Sequence, residues 1–363
     1  MMTGELNNPR LIRVLVADDS AFMRTAITRM IESDGSLRVS ATAQTGQEAL
    51  EKIAALNPDV VTLDVEMPGL NGIETLKRIM QDFPRPVIMV SSLTQAGAET
   101  TLEALGIGAF DYVPKQQSFV SLDIVKIRDE LIAKIKAAAE NGRRHLMAQP
   151  AKSATPPAKI STRRANHVAA SVVALGTSTG GPKALQEILP MLPADLAVAV
   201  LVVQHMPKGF TGPFARRLDG LCKVSVREAT QHETLEPGVV YIAPAGQHMT
   251  VQRRTLSKVT IQLSASPEDL LHIPSVDVMM LSVAQVFSAH CLGVIMTGMG
   301  ADGVQGMRAI SHGGGLTVGQ DESTCTVYGM PRSCAESGIL QRIVPLNQIP
   351  EQILQATHYH PRM

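Results

Sequence analysis

The sequence contains no tryptophan, 3% aromatic residues in all, and four cysteines in 363 residues. Each scarcity excludes something. Single-stranded nucleic acid is gripped by aromatic side chains on which bases stack, and this chain has few to offer. Cys222, Cys291, Cys325 and Cys334 form no C-x-x-C pair, which speaks against a zinc site or a redox dithiol. Buried or idle thiols are the expectation. The apolar run nearest the N-terminus, Leu11–Ala17, is short and interrupted by Arg13, too short for a signal peptide or a membrane span. A soluble, cytoplasmic protein without membrane insertion is expected. Charge is also scarce, at 18% with a formal net charge of zero, while 45% of residues are hydrophobic. That balance excludes a disordered chain, and the length suggests about two domains.

The charge is unevenly spread. Residues 1–141 hold 14 Lys and Arg against 19 Asp and Glu, residues 142–167 hold six basic residues and no acid, and residues 168–363 hold 13 against 14. Neither large block is basic, so a nucleic-acid partner is not expected. The segment between them reads GRRHLMAQPAKSATPPAKISTRRANH. It has almost no large apolar side chain with which to order itself and reads as a flexible basic linker.

In the first block, apolar runs at Ile12–Ala17, Arg38–Ala43, Val60–Leu63, Pro86–Val90 and Phe110–Val113 alternate with amphipathic stretches beginning near Ser20, Gly46, Asn71, Thr94 and Val120. Such alternation predicts a parallel sheet covered on both faces, with ligands bound at the carboxyl ends of strands. Asp18 and Asp19 end the first run, Asp64 follows the third, and Lys115 follows the fifth. Three carboxylates and an ammonium thus converge on one sheet edge. Crowded carboxylates repel one another. A hard divalent cation relieves the repulsion, and oxygen ligands suit Mg²⁺. A carboxylate beside Mg²⁺ and Lys could accept a phosphoryl group.

The segments VLVADDS (14–20), LDVEMPGLNG (63–72), MVSS (89–92) and DYVPK (111–115) resemble the receiver domain of bacterial response regulators, a flavodoxin-like fold. The resemblance implies that Asp64 is the phosphoryl acceptor. It implies that Asp19, Asp64 and the backbone of Glu66 bind Mg²⁺ with support from Asp18, and that Lys115 contacts the phosphoryl group. Ser91 and Tyr112 take the two switch positions. A histidine kinase is the implied phosphodonor.

The second block offers strands at Ser171–Leu175, Ala197–Val203, Val239–Ile242, His248–Gln252, Val259–Gln262 and Leu292–Met296, and helices at Gly181–Met191, Phe210–Leu218, Val276–Phe287 and Gly303–Ser311. A mainly parallel α/β sheet with antiparallel strands within 239–263 is predicted. Gly176-Thr177-Ser178-Thr179-Gly180 satisfies G-x-S-x-G, the turn that projects a nucleophilic serine. A glycine-rich phosphate loop is the competing reading, but this segment lacks the G-x-G-x-x-G spacing. A serine needs a base, and the base an orienting acid. His205 follows the strand Ala197–Val203 and Asp302 follows Leu292–Met296. Ser178, His205 and Asp302 therefore share the carboxyl edge. His232, His248, His272, His290 and His312 have no comparable strand-end context. The order Ser, His, Asp is not that of α/β-hydrolases.

The segments GTSTGGPKAL (176–185), VVQHMPKGFT (202–211), YIAPAGQHM (241–249), PSVDVM (274–279), IMTGMGADGVQGM (295–307) and GQDESTCTVYGMPR (319–332) resemble the catalytic domain of the chemotaxis protein-glutamate methylesterase family, CheB. The succession of receiver, linker and esterase matches that family over nearly the whole chain. The resemblance implies Ser178 as nucleophile, His205 as general base and acid, and Asp302 as orienting carboxylate. It places Thr179 beside the nucleophile and the backbone N–H of Met299 at the oxyanion. It also implies demethylation and deamidation of methyl-accepting chemoreceptors, a monomer, no cofactor for the ester chemistry, and an inhibitory receiver. Members often carry Arg before the P-S-V-D segment, where this chain has Ile273, and a further Arg soon after, where it has Met280 and Leu281. That departure bears on surface electrostatics and leaves the triad untouched. A receiver-controlled binding protein and an esterase of a non-motility pathway are the alternatives.

Overall fold

The computed structural model describes residues 11–92, 94–115, 123–147 and 168–359. The chain divides into two compact units, Met1–Lys152 and Ser153–Met363.

The first unit alternates strand and helix: β1 (Ile12–Ala17), α1 (Ala21–Glu32), β2 (Leu37–Ala43), α2 (Gly46–Leu56), β3 (Val60–Asp64), α3 (Gly72–Asp82), β4 (Val87–Ser92), α4 (Gln95–Ile107), β5 (Asp111–Lys115) and α5 (Asp123–Met147). The five strands pair in parallel in the order β2-β1-β3-β4-β5. β3 is buried at every residue, as expected of a strand with helices on both faces. On one face Val14, Val16, Ile88 and Val90 pack with Ile27 and Ile31 of α1 and Leu131 and Ile135 of α5. The strand order reverses between β1 and β3, and the crevice for a ligand opens beyond the carboxyl ends at such a point.

The linker was expected to begin at residue 142, yet α5 continues to Met147. Arg, Leu and Met are good helix formers, and they carry the helix past Gly142. Residues 148–167 of the expected linker lie outside the described residues.

The second unit runs β6 (Val172–Thr177), α6 (Gly181–Ile188), β7 (Ala199–Gln204), α7 (Thr211–Asp219), β8 (Ser225–Glu228), β9 (Val239–Ile242), β10 (His248–Arg253), β11 (Val259–Ser264), α8 (Val276–Phe287), β12 (Cys291–Ile295), α9 (Val304–His312), β13 (Leu316–Gln320), α10 (Met330–Glu336), β14 (Arg342–Val344) and α11 (Ile349–Ala356). A seven-stranded parallel sheet has the order β14-β13-β12-β6-β7-β9-β8. β10 and β11 pair antiparallel, as a separate hairpin. The antiparallel stretch expected at 239–263 is therefore shorter, because β9 belongs to the main sheet. Its four residues are all buried, the mark of an interior parallel strand. The strand order reverses between β6 and β12, which puts the second crevice beside the residues that follow them.

Candidate active site and phosphoacceptor cluster

In the first unit the carboxylates of Asp18, Asp19 and Asp64 each place an oxygen within 4.8 Å of the others. Asp18 and Asp64 are buried, and Asp19 is exposed. Lys115 Nζ donates to Asp64 Oδ2 at 2.6 Å and lies 3.1 Å from Asp18 Oδ2. The backbone N–H of Glu66 donates to Asp64 Oδ1 at 3.2 Å. One ammonium thus faces three carboxylates. Burial raises the Asp64 carboxyl, the Lys115 bond lowers it and the Asp18 charge raises it again, leaving it at about 6. Asp18 Oδ2 is buried with Lys115 Nζ, already bonded to Asp64, beside it. An all-oxygen donor set with three carboxylates and excess negative charge fits Mg²⁺.

The two switch positions are both buried. Ser91 Oγ donates to the Gly97 carbonyl at 3.1 Å and accepts from Thr101 Oγ1 at 2.6 Å, so its hydroxyl is engaged with α4. Tyr112 lies beneath Lys134, whose Nζ is 5.2 Å from the ring centroid and donates to the Tyr112 carbonyl at 2.6 Å.

In the second unit, register puts Thr177 opposite Gln204 on adjacent parallel strands. The next residue on each strand is Ser178 and His205. The His205 N–H donates to the Thr177 carbonyl at 3.2 Å, and Gln204 Nε2 donates to the Ser178 carbonyl at 3.0 Å. These bonds tie the nucleophile turn to the turn carrying the base. Gly180 completes the turn with φ of 77°, a conformation open to glycine. Pro182 then opens α6, where its fixed φ suits a first helical turn. Gly298, after β12, abuts Ser178 so closely that a Cβ there would lie 2.8 Å from the serine Cβ.

His205 and Asp302 meet at 2.8 Å between Nε2 and Oδ2. The other ring nitrogen, Nδ1, is buried without a hydrogen-bond partner, and no hydrogen bond links Ser178 Oγ to it. Nδ1 is therefore the ring nitrogen of His205 that remains open to a further partner. Asp302 accepts four bonds. Val276 N donates to Oδ2 at 2.8 Å, and Ser275 Oγ and Asp277 N each donate to Oδ1 at 2.9 Å. Burial acts to raise this carboxyl, but the His205 bond and charge and the backbone donors outweigh it and hold it at about 2. Asp302 is thereby fixed as an acceptor-only carboxylate. The backbone N–H groups of Thr179 and Met299 donate to nothing among the described residues.

Two histidines that lack a strand-end position join the site. His272 stacks on His205 with ring centroids 3.9 Å apart and planes 15° apart. His248, fully buried, accepts from Ser275 N at Nδ1 (3.1 Å) and faces the Pro267 carbonyl through Nε2 (2.9 Å). His248 lies within the segment YIAPAGQHM, whereas His272 lies two residues before PSVDVM, outside the resembling segments. Ile273 is half-buried and its carbonyl accepts from Gly246 N at 3.0 Å. Met280 is buried in the core and Leu281 is exposed; neither touches the Asp302 bonds. None of the four cysteines is disulfide-bonded, and three of them are buried. A cavity of about 400 Å³ near the amino ends of β12, β13 and β14 stands apart from these groups. Its Arg342 is bonded to Gln352 and Gln355.

Among the described residues no helix is long and apolar enough to cross a membrane. The family model for the response regulator receiver domain matches residues 14–124, and that for CheB methylesterase matches residues 173–353. A protein-glutamate methylesterase/protein-glutamine glutaminase of Nitratidesulfovibrio vulgaris is 46% identical, over 96% of this chain and 100% of its own. One of Pyrococcus horikoshii is 45% identical, over 96% and 94%. The crystal structure of the Thermotoga maritima CheB methylesterase catalytic domain is 38% identical, covering 52% of this chain and 99% of its own with a TM-score of 0.50. With near-full-length relatives at this identity and both domains matched in order, the chain belongs to the CheB methylesterase family, with a response regulator receiver domain ahead of the esterase domain.

Proposed function

We propose that the protein is a phosphorylation-activated serine hydrolase acting on methyl-accepting chemotaxis receptors, where it cleaves glutamyl methyl esters to glutamate and methanol and deamidates glutamines. The observation that carries the reading is the His205–Asp302 pair at 2.8 Å, with the second ring nitrogen of His205 open, beside a serine on a tight strand-to-helix turn. Ser178 Oγ attacks the ester carbonyl as His205 Nδ1 takes its proton. The Thr179 and Met299 N–H groups receive the oxyanion. His205 returns the proton to the departing oxygen, methanol leaves, and water cleaves the acyl-enzyme by the same steps. An amide follows the same course and releases ammonia. Asp302 orients the imidazole and stabilises its charged form.

In the receiver, a histidine kinase transfers a phosphoryl group to Asp64, and Lys115 holds one of its oxygens. Asp18, Asp19 and Asp64, with the backbone of Glu66, would hold Mg²⁺, which when bound neutralises charge on the phosphoryl oxygens. Ser91 and Tyr112 are the groups that respond to phosphorylation. The test is methanol release from methylated receptors: purified, folded Ser178→Ala protein should release none above background. Release near the wild-type rate would overturn the proposal.

A further inference from the structure

The Asp302 carboxylate sits on the N-terminus of α8, bonded by Ser275 Oγ, Val276 N and Asp277 N. One of those donors belongs to a residue that is itself acidic. The side chain of Asp277 turns to the next helix, where its Oδ1 accepts the Gly306 N–H at 2.7 Å, and the N–H groups of Gln305 and Gly303 also act on it. Each helix start therefore binds the carboxylate of the other segment: α8 holds Asp302 from the loop before α9, and the start of α9 holds Asp277 from α8. At the crossing the helices have no slack, since a Cβ on Gly306 would lie 2.4 Å from Met280 Cβ.

A structural cap alone would not require this arrangement. Helix starts accept Ser, Thr or Asn equally well, and a second carboxylate beside Asp302 costs repulsion. Burial raises the Asp277 carboxyl, the Gly306 bond lowers it, and the Asp302 charge raises it. What the exchange provides is a fixed loop. Residues 297–303, which carry both Met299 and Asp302, are tied at one end by β12 and at the other by Asp277. With the donors on Asp302 locked, its remaining direction is toward His205.

We propose that Asp277 is a positioning residue for ester cleavage, acting through Asp302 by fixing the loop that carries the orienting carboxylate and the oxyanion donor. The inference rests on Asp302 being the acid of the triad, and the experiment separates the two. A double-mutant cycle is run on the full chain with methylated receptor, using Asp277→Asn, Asp302→Asn and both together, with enzyme concentration raised for slow variants. Asn keeps one acceptor oxygen but turns an NH₂ toward backbone donors. Asp277→Asn is expected to lower kcat roughly 10- to 100-fold with KM within about twofold of wild type. In the Asp302→Asn background the same change should cost less than about twofold, because the group it acts through is already gone. Equal losses in both backgrounds, or a loss residing in KM, would overturn the positioning role while leaving the triad standing. An Asp302→Asn protein of wild-type rate would overturn the triad and this inference together. If Asp277→Asn does not fold, Asp277→Ser, which retains a capping oxygen, enters the same cycle with the same two outcomes.

Discussion

Asp64, which is buried, and Asp302, which is half-buried, are both carboxylates placed by the ends of parallel strands, and their environments drive them in opposite directions. Asp64 has Lys115 and the Glu66 backbone N–H for donors, and Lys115 also faces Asp18, a like-charged neighbour. Burial and repulsion win, and the carboxyl rises to about 6. Asp302 is half-buried and has four donors, His205 among them, and it falls to about 2. Burial does not decide the outcome; the number of donors committed to the charged form does. An under-satisfied carboxylate keeps capacity for a cation and a phosphoryl group. A saturated one can only orient its neighbour.

The largest expected contrast is in rate. Asp302→Asn should lower methanol release by roughly 10³–10⁴-fold, since the imidazole loses its orienting charge. Asp64→Asn should leave basal release within about twofold and abolish stimulation by a small phosphodonor with Mg²⁺. A parallel assay of the two variants with and without phosphodonor checks both. Basal loss in Asp64→Asn would erase the division between the sites.

The next contrast is in stability against pH, without Mg²⁺. The folded value of Asp302 lies below its unfolded value of 3.8, so its contribution is present above that value and is lost as pH falls toward 2. The difference corresponds to about 2 kcal/mol. The folded value of Asp64 lies above 3.8, so its contribution has the other sign, present below that value and lost as pH rises through about 6. Thermal melts from pH 2 to 7 should show Asp302→Asn flattening the acid limb and Asp64→Asn flattening the decline between pH 4 and 6. Mg²⁺ should stabilise the wild type but raise Asp64→Asn less. Identical profiles for the two variants would refute the contrast.

The smallest expected effect concerns the stacked ring. His272→Ala removes a contact worth about 0.5–1.5 kcal/mol, so kcat should fall by roughly two- to tenfold. A rate unchanged within error would mean that the stack does not position His205.

The strand-end residues were the legible part of both sites. Asp18, Asp64, Lys115, Ser178, His205 and Asp302 each follow an apolar run, and a parallel sheet gathers such positions on one edge. The parts that escaped follow a different logic. Ser275, Asp277 and His272 reach the site through the start of α8 and the loop before it, and His248 through the first residue of β10, outside the strand-end positions that a parallel sheet gathers. β8, β13 and β14 were not anticipated; β13 reads LTVGQ, which mixes polar and small residues with its two apolar ones. β8 is an edge strand with an exposed Ser225 and half-buried Arg227 and Glu228, and β14 has three residues, the first an exposed Arg342. Neither presents the apolar run that marks an interior strand. The helical character of residues 142–147 was hidden by the basic, small-residue composition of the segment that follows.

The most direct test of the account is the site and rate of covalent labelling by a serine-reactive organophosphorus probe, mapped by peptide mass spectrometry on the full chain. The account predicts one adduct, on Ser178, formed at wild-type rate in Asp64→Asn and strongly slowed in His205→Gln and Asp302→Asn. An adduct on another residue, or labelling of Ser178 at an undiminished rate in Asp302→Asn, would contradict it.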